Sequence, residues 1–304
     1  MHILVLGATG FVGSVLVDHL IRLKDVTITA IVHNTVPATK HEQVRYINHS
    51  LSAIDHEFLS AGNYDYIFHL ARIPGKKWGD AGRYIAGRKG AAANKKLLAN
   101  INRLDKQPKL IYLSGSLMYG HIPGSAAIEQ DAVNPAGFAK YYYHAERPIL
   151  KAIEDGAEHL VMLRAPWIIG NGSWYKQMYT DHIKQHNVVP VYGNPQRRMS
   201  IITVEDCAGM LWHYAANAPG DAVYNIFTFQ DVAYNDLVRQ VAKAYNCDSF
   251  REIAEDEMKK KMGATVADSI NCEVLLDTQH KNVLSSYKPL HTNLEAYIKE
   301  LAKQ

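Results

Sequence analysis

Three glycines near the start of the chain have the spacing of a phosphate-binding turn. They lie in residues 7–13, here called the phosphate turn, between an apolar run and an amphipathic segment. One glycine permits the tight turn, another lets backbone amides approach an anion, and Gly13 lets the helix pack close to a sheet. Free amides and the helix dipole stabilise a pyrophosphate there. The segment therefore predicts a dinucleotide site, with contacts from Gly7, Thr9, Gly10, Phe11, Val12 and Gly13.

The residues after the second apolar run bear on which dinucleotide is bound. This run ends Ile31-Val32-His33-Asn34-Thr35, which contains no carboxylate. Sites that prefer NAD often place an acidic residue here to bind the ribose hydroxyls. We expect His33 and Asn34 to lie at this end of the cofactor. Their neutral or cationic character suits a 2′-phosphate, so the sequence favours NADP over NAD.

The elements that position this turn follow from hydrophobic periodicity. Short apolar runs predict strands at 2–6, 27–32, 44–47, 66–70, 110–113 and 160–163. Between them, apolar residues at helical spacing predict a helix after the phosphate turn and further helices at 84–103 and 138–154. After residue 166 the alternation loosens, and helices return at 206–216, 235–245 and 294–302. Strands and helices in alternation imply a parallel sheet covered on both faces.

The predicted fold class is therefore α/β, with a doubly wound parallel sheet of the Rossmann type. We assign residues 1–170 to a dinucleotide-binding domain and residues 171–304 to a smaller substrate-binding lobe. Some segments of the second part are expected to return to the first domain.

Composition excludes several classes of protein. The 304 residues are 47% hydrophobic and 21% charged, which predicts a packed core rather than disorder. A net charge of +3, from 33 basic and 30 acidic residues, gives no indication of a nucleic-acid partner. The three cysteines are too far apart for a metal site and are expected to be reduced thiols. With no apolar run near the roughly 20 residues of a membrane span, we expect a cytoplasmic protein.

Four further segments resemble, in order, the motifs of the extended short-chain dehydrogenase/reductase family, which contains nucleotide-sugar epimerases and dehydratases. They are YIFHLA at 66–71, LSGSLMYG at 113–120, LRAPWIIG at 163–170 and MSIITVED at 199–206. The resemblance covers nearly the whole chain. It implies that the first and third segments pass the cofactor, with contacts from Leu70, Ala71, Arg72, Pro166 and Trp167. It places Tyr119 and Arg198 on the substrate side, where Arg198 would meet a phosphate or another anion.

The family's catalytic residues are replaced in this chain. The resemblance implies a Ser or Thr, a Tyr, and a Lys four residues after that Tyr. The phenol exchanges a proton with the substrate oxygen, while the lysine's charge favours the phenolate. When Glu146 is aligned with the glutamate of the family, Phe138 takes the position of the Tyr and Tyr142 that of the Lys. Gly115 stands at the position of the Ser or Thr.

Other hydroxyl groups lie close to these positions. Phe138 and Tyr142 are four residues apart and share a helix face, so Tyr142 is a candidate acid–base residue. Ser114 and Ser116 flank Gly115, although neighbours on an extended strand point to opposite faces unless a bulge re-aims one of them. The alternative for Tyr142 is a packing role, which we consider the better interpretation for Tyr141 and Tyr143.

Two further groups were considered as ligand sites. Arg72 follows a predicted strand end, so its guanidinium could pair with a carboxylate or phosphate. His182 and His186 have helical spacing compatible with a metal, but no third ligand completes a site, and we predict none.

The sequence supports two hypotheses about function. The first is an NAD(P)-dependent reductase, epimerase or isomerase that acts on a small polar or nucleotide-sugar-like substrate with altered acid–base residues. The second is a dinucleotide-binding sensor or regulatory protein without catalysis. A homodimer is possible, because the family often dimerises through helices corresponding to 84–103 and 138–154.

Overall fold

The computed structural model describes residues 1–33, 37, 41–75 and 79–304. Its strands are β1 (His2–Leu6), β2 (Thr27–Val32), β3 (Val44–Asn48), β4 (Tyr66–His69), β5 (Lys109–Gly115), β6 (Ala126–Ala127), β7 (Leu160–Ala165), β8 (Trp167–Ile169), β9 (Val189–Tyr192), β10 (Arg198–Thr203), β11 (Ala222–Asn225), β12 (Phe229–Ala233), β13 (Phe250–Ile253) and β14 (Leu275–Leu276). Its α-helices are α1 (Phe11–Leu20), α2 (His56–Gly62), α3 (Gly79–Ile101), α4 (Ala139–Glu154), α5 (Asp181–His186), α6 (Val204–Asn217), α7 (Tyr234–Tyr245), α8 (Glu255–Met262), α9 (Ala264–Asn271), α10 (Lys281–Ser286) and α11 (Leu294–Ala302).

A central sheet of seven parallel strands organises the structure. Its order is β11-β7-β5-β4-β1-β2-β3. The order reverses at β1, which is the switch point where α/β folds bind ligands beyond the carboxyl ends of their strands. The predicted α/β fold class with a parallel Rossmann-type sheet is confirmed.

Both faces of the central sheet are covered by helices. On one face α1 and α6 pack together over apolar side chains that include Val12, Leu16 and Leu211. On the other face α3 and α4 cover a second apolar layer that includes Leu97 and Ile149. The inner strands are mostly apolar because neither face of the sheet meets water there.

Helices α3 and α4 pack closely, and this contact sets the position of α4. A Cβ atom added to Gly87 of α3 would lie 2.2 Å from the backbone oxygen of Tyr141 in α4. Only glycine permits an approach this close, since any side chain would clash with backbone that cannot move aside.

A smaller lobe forms around a second apolar core. It contains the three-stranded sheet β12-β10-β8 and the pair β13-β9. Buried aromatic side chains dominate this core, among them Tyr175, Tyr179, Tyr192 and Tyr234. The segment that forms α6 and β11 returns to the central sheet, where β11 pairs with β7. We keep the boundary near residue 170 as a proposal, with β8, just before it, already part of the sheet of the smaller lobe. No helix in the described part of the chain combines the length and the apolar character needed to cross a bilayer.

Asp206 attaches the C-terminal segment to the start of α6. Its carboxylate is fully buried and accepts hydrogen bonds from the Tyr287 hydroxyl at 3.1 Å and the Leu290 amide at 2.6 Å. It also accepts bonds from the Thr203 hydroxyl at 2.9 Å and the His291 amide at 3.3 Å. One buried carboxylate therefore satisfies donors from two distant parts of the chain.

We predict that Asp206→Ala lowers the free energy of unfolding by at least about 3 kcal/mol, because several buried donors lose a charged acceptor. Urea denaturation measures this change, and limited proteolysis should show faster cleavage near residues 287–293. Asp231→Ala is the matched control, since Asp231 forms an exposed ion pair with Arg198 and its loss should cost less than about 1 kcal/mol. Equal effects of the two substitutions would contradict the anchoring role.

Candidate functional site

A cavity of about 600 Å³ lies at the carboxyl ends of the central strands. The phosphate turn lines it at the end of β1, and Leu70 lines it after β4. Residues from the ends of β5 and β7 form the adjoining wall, while the smaller lobe contributes Met178 and Tyr234. The cavity therefore occupies the position at which α/β folds bind ligands, between the sheet and the smaller lobe.

The phosphate turn is shaped by close backbone contacts. Gly7 has a φ of +88°, and a Cβ atom there would lie 2.9 Å from the Ala71 amide nitrogen. A Cβ atom on Gly13 would lie 2.1 Å from the Gly7 oxygen. Helix α1 begins directly afterwards, and no side chain caps its first turn. The amides at the start of α1 are therefore available to an anion in the cavity.

Gly10 differs from the other two glycines of the turn. A Cβ atom added to it would meet only the Gly7 oxygen, at 3.2 Å. Gly10 is thus the glycine of this turn at which an added side chain would meet the least protein.

Most of the predicted site residues are brought together by this cavity. Those that line it are Gly7, Gly10, Phe11, Val12, Gly13, Leu70, Arg72, Ser114, Ser116, Tyr142, Pro166 and Trp167. Thr9 and His33 are exposed and lie outside it, and Ala71 lies against Gly7 instead. Asn34 is outside the described residues, so its predicted role stays a prediction.

Two predicted substrate contacts are not on the cavity. Tyr119 is buried, and its hydroxyl donates a hydrogen bond to the Asn225 side chain at 2.8 Å. Arg198 is exposed and pairs with Asp231. Of the two residues of the basic doublet, Arg197 lines the cavity and Arg198 does not. The reason is that Arg198 begins β10 on its exposed side.

Arg197 is a buried cation that sequence reasoning missed. It is 2% exposed, and its guanidinium carbon lies 3.4 Å from the centroid of the Tyr234 ring. It donates hydrogen bonds to the backbone oxygens of Tyr192 and Asn194, but its Nε has no partner. No described carboxylate lies within 4.0 Å of it. A buried cation without an acidic partner, at the edge of a cavity, is a site for an anionic ligand.

Comparison with known proteins agrees with this geometry. The model of the NAD dependent epimerase/dehydratase family matches residues 3–226. The chain belongs to this family. The predicted resemblance to extended short-chain dehydrogenases/reductases is confirmed. No protein in the comparison with curated sequences matches the chain.

Solved structures of epimerases and dehydratases share the fold. UDP-glucuronic acid 4-epimerase from Bacillus cereus, solved with UDP-glucuronic acid and NAD, has a TM-score of 0.81 and 17% identity, with 100% of this chain and 98% of that chain covered. UDP-N-acetylglucosamine 4-epimerase from Methanobrevibacter ruminantium M1, in complex with UDP-N-acetylmuramic acid, has a TM-score of 0.77 and 21% identity over 99% and 97% of the chains. dTDP-glucose 4,6-dehydratase from Bacillus anthracis, in complex with NAD, has a TM-score of 0.80 and 14% identity over 100% and 96%.

Phe138 and Tyr142 both line the cavity, as their shared helix face predicts. Phe138 lies at the start of α4 and makes an edge-to-face contact with Trp174, with ring centroids 5.3 Å apart. Tyr142 lies one turn later and is half-buried. Lys140 points away from this face and pairs with Asp268 at 2.9 Å. The cavity wall therefore carries one hydroxyl where α4 passes it.

Ser114 and Ser116 line the cavity together with Gly115, although strict alternation along a strand would place Gly115 on one face and both serines on the other. The reason is that β5 ends at Gly115 and a short 3-10 helix, Ser116–Met118, follows. The change of backbone conformation turns Ser116 towards the cavity without a bulge.

A buried ion pair supports the part of the cavity wall that α4 forms. The Arg164 guanidinium on β7 donates to the Glu146 carboxylate on α4 at 3.1 Å, and both side chains are 1% exposed. The Ser114 hydroxyl donates to the other oxygen of Glu146. The three groups tie α4 to β5 and β7. An arginine inside an otherwise apolar strand was the available signal, because a buried acid is the usual partner of such a charge.

Other reactive groups near the cavity do not supply an alternative chemistry. Burial raises the pKa of the Cys272 thiol to about 12, which keeps it protonated and a poor nucleophile at neutral pH. His182 and His186 have ring centroids 4.7 Å apart on α5. In the described ranges, no group of three or more His, Cys, Asp or Glu residues could hold a metal ion.

We predict that Glu146→Gln lowers the free energy of unfolding by about 3–5 kcal/mol, since it leaves the Arg164 charge buried without a partner. The measurement is chemical denaturation, and Glu146→Gln combined with Arg164→Met should recover part of the loss. Asp155→Asn is the matched control on the same helix, because the Lys151–Asp155 pair is exposed and contributes at most about 0.5 kcal/mol. A loss for Glu146→Gln no larger than that of the control would show that the pair does not hold α4.

Proposed function

We propose that the chain is a nicotinamide-dinucleotide-dependent enzyme that acts on a nucleotide-sugar-like substrate, as an epimerase, dehydratase or reductase. One observation carries the proposal. A single cavity joins the phosphate turn to the hydroxyl groups of Ser116 and Tyr142 and to the buried cation Arg197. These are the groups needed to bind a dinucleotide, exchange a proton with a substrate oxygen, and bind a substrate anion.

The residues of the phosphate turn fit a dinucleotide. The uncapped start of α1 would hold the pyrophosphate, and the space on the cavity side of Gly10 lets the phosphates approach the backbone. When bound, the dinucleotide supplies the acceptor or donor of a hydride. We propose NAD rather than NADP. The expectation of NADP receives no support, because the family description and the related complexes name NAD.

The charges on the cavity wall support an anionic substrate. Among the described residues that line the cavity, the charged ones are Arg72 and Arg197, and none is acidic. We assign the buried Arg197 to the phosphate groups of the substrate, since it projects from the smaller lobe and has no acidic partner there. A nucleoside diphosphate sugar has the required anion, as in the named ligands of the related epimerases.

Tyr142 is the proposed acid–base residue. Its hydroxyl is the one that α4 presents to the cavity, one helical turn from Phe138. In this role the phenol donates its proton to a substrate oxygen as that oxygen gains negative charge, and accepts it again in the reverse direction. Ser116 is the proposed hydrogen-bond partner of the same oxygen, since it also lines the cavity. Ser114 is less suited, because its proton is held by Glu146.

A non-catalytic sensor is the second candidate, favoured by one observation. Phe138, at the position of the family's catalytic Tyr, faces the cavity and is fixed between Trp174 and the Arg83 guanidinium, whose carbon lies 5.3 Å from the Phe138 ring centroid. A side chain with no proton to transfer is thus firmly packed where catalysis would be expected.

We predict that Gly10→Val weakens NAD binding at least about 100-fold, because the added side chain fills the space that the phosphates would occupy. Calorimetry measures the binding, and the melting temperature should change little. Gly13→Val is the matched control. Its added side chain would meet backbone at 2.1 Å, so it should destabilise the protein instead. Unchanged NAD affinity in a folded Gly10→Val variant would exclude this site, and absence of binding by the wild type would exclude both functions.

We predict that Tyr142→Phe lowers turnover by about 10²–10⁴-fold on any nucleotide sugar that the wild type converts, with little change in NAD affinity. Turnover is followed by product analysis across UDP- and dTDP-sugars in the presence of NAD. Tyr143→Phe is the matched control, because Tyr143 is on the same helix and packs beside Arg147 instead of the cavity. Full activity of Tyr142→Phe would reject its role, and normal NAD binding without turnover on the whole panel would favour the sensor.

A further inference from the structure

Arg72 and Tyr142 form a contact that the proposed reaction does not itself explain. Arg72 comes from the end of β4 and Tyr142 from α4, and both line the cavity. The guanidinium carbon of Arg72 lies 4.7 Å from the centroid of the Tyr142 ring. This is the geometry of a cation–π interaction, which holds a positive charge against the face of an aromatic ring.

The charge of Arg72 is not neutralised by an acidic side chain. No carboxylate of the described residues lies within 4.0 Å of its guanidinium, and none of the nine remaining residues is Asp or Glu. Three other cations around α4 differ in this respect. Arg164 pairs with Glu146, Arg83 with Asp80, and Lys140 with Asp268. Arg72 therefore brings an uncompensated positive charge to the sheet side of the cavity.

The position of the Arg72 charge can be compared with that of the lysine implied by the family resemblance. Tyr142 takes the sequence position at which the family resemblance implies a lysine, so that cation is absent from α4. Arg72 brings a cation to the same side chain from a different element. A positive charge is thus held against the Tyr142 ring, although α4 lacks the lysine that the resemblance implies at this position.

We infer that Arg72, held on Tyr142, places a positive charge beside the nicotinamide ring and makes the site favour the reduced dinucleotide over the oxidised one. The inference rests on the proposed function, since it requires a dinucleotide in the cavity. The oxidised nicotinamide ring carries a positive charge and the reduced ring is neutral. A nearby cation therefore penalises only the oxidised form. The phosphates are the same in both forms, so their contacts cancel in the ratio of the two affinities.

The test is calorimetric titration of the wild type and of variants with NAD⁺ and NADH at low salt. We expect the wild type to bind NADH more tightly than NAD⁺. Arg72→Gln should reduce that ratio by about three- to tenfold, an effect limited by the solvent exposure of Arg72 and decreasing as salt is added. Arg72→Lys, which keeps the charge, should retain most of the ratio.

Two further variants separate charge from structure. Tyr142→Phe keeps the aromatic face and should retain the ratio, whereas Tyr142→Ala releases Arg72 and should lower it as Arg72→Gln does. Arg83→Gln is the matched control, because Arg83 also stacks on a cavity aromatic residue but is paired with Asp80. Its ratio should equal that of the wild type.

The outcomes distinguish this inference from the function on which it rests. Equal weakening of NAD⁺ and NADH by Arg72→Gln would overturn the inference and identify Arg72 as a phosphate contact. If Arg72→Gln changes neither affinity, the inference is overturned as well. If the wild type binds neither form, the proposed function fails first.

Discussion

The buried pair of Glu146 and Arg164 is the interaction on which the arrangement of the cavity depends. It lies between α4 and β7, and Ser114 of β5 shares the carboxylate. An unpaired buried charge is costly, so the ion pair holds these three elements in one register. Tyr142 is one turn before Glu146 on the same helix. The position of the candidate acid–base hydroxyl is therefore fixed by an ion pair that itself lies behind the cavity wall.

The two arginines that line the cavity contrast with this pair. Glu146 and Arg164 neutralise one another inside the protein, whereas Arg72 and Arg197 have no acidic partner among the described residues. Each of the two lies against an aromatic ring, Tyr142 or Tyr234, as Arg164 lies against Tyr119. Aromatic faces hold a guanidinium in place without cancelling its charge. The difference between these arginines is therefore the acidic partner, which Arg164 has and the two cavity arginines lack.

Local patterns in the sequence were sufficient for the framework of the fold. Apolar runs and helical spacing predicted β1, β4 and α4 almost to the residue, because burial on both faces leaves a strong periodic signal. The phosphate turn was equally predictable, because its close backbone contacts require glycines at set positions. The confirmed part therefore consists of features whose causes lie within about twenty consecutive residues.

The details that sequence reasoning missed depend on contacts between distant residues. The choice between Arg197 and Arg198 depends on which side of β10 faces the smaller lobe. The direction of Ser116 depends on where β5 ends, and Tyr119 is withdrawn from the cavity by Asn225, more than a hundred residues later. The burial of Asp206 under the C-terminal segment has no local signature. These contacts are visible only in the folded structure, because no pattern within a single sequence predicts which distant residues will meet.

The return of α6 and β11 to the central sheet has a consequence for how molecules enter the cavity. The chain passes from the sheet to the smaller lobe after β7, comes back for α6 and β11, and leaves again for β12. A clamshell opening between the two parts would have to bend the backbone at each of these crossings at once, whereas a hinge ordinarily uses one or a few short segments. Exchange of bound molecules should therefore rely on small local displacements at the cavity rim. The two parts should move little relative to one another as rigid bodies.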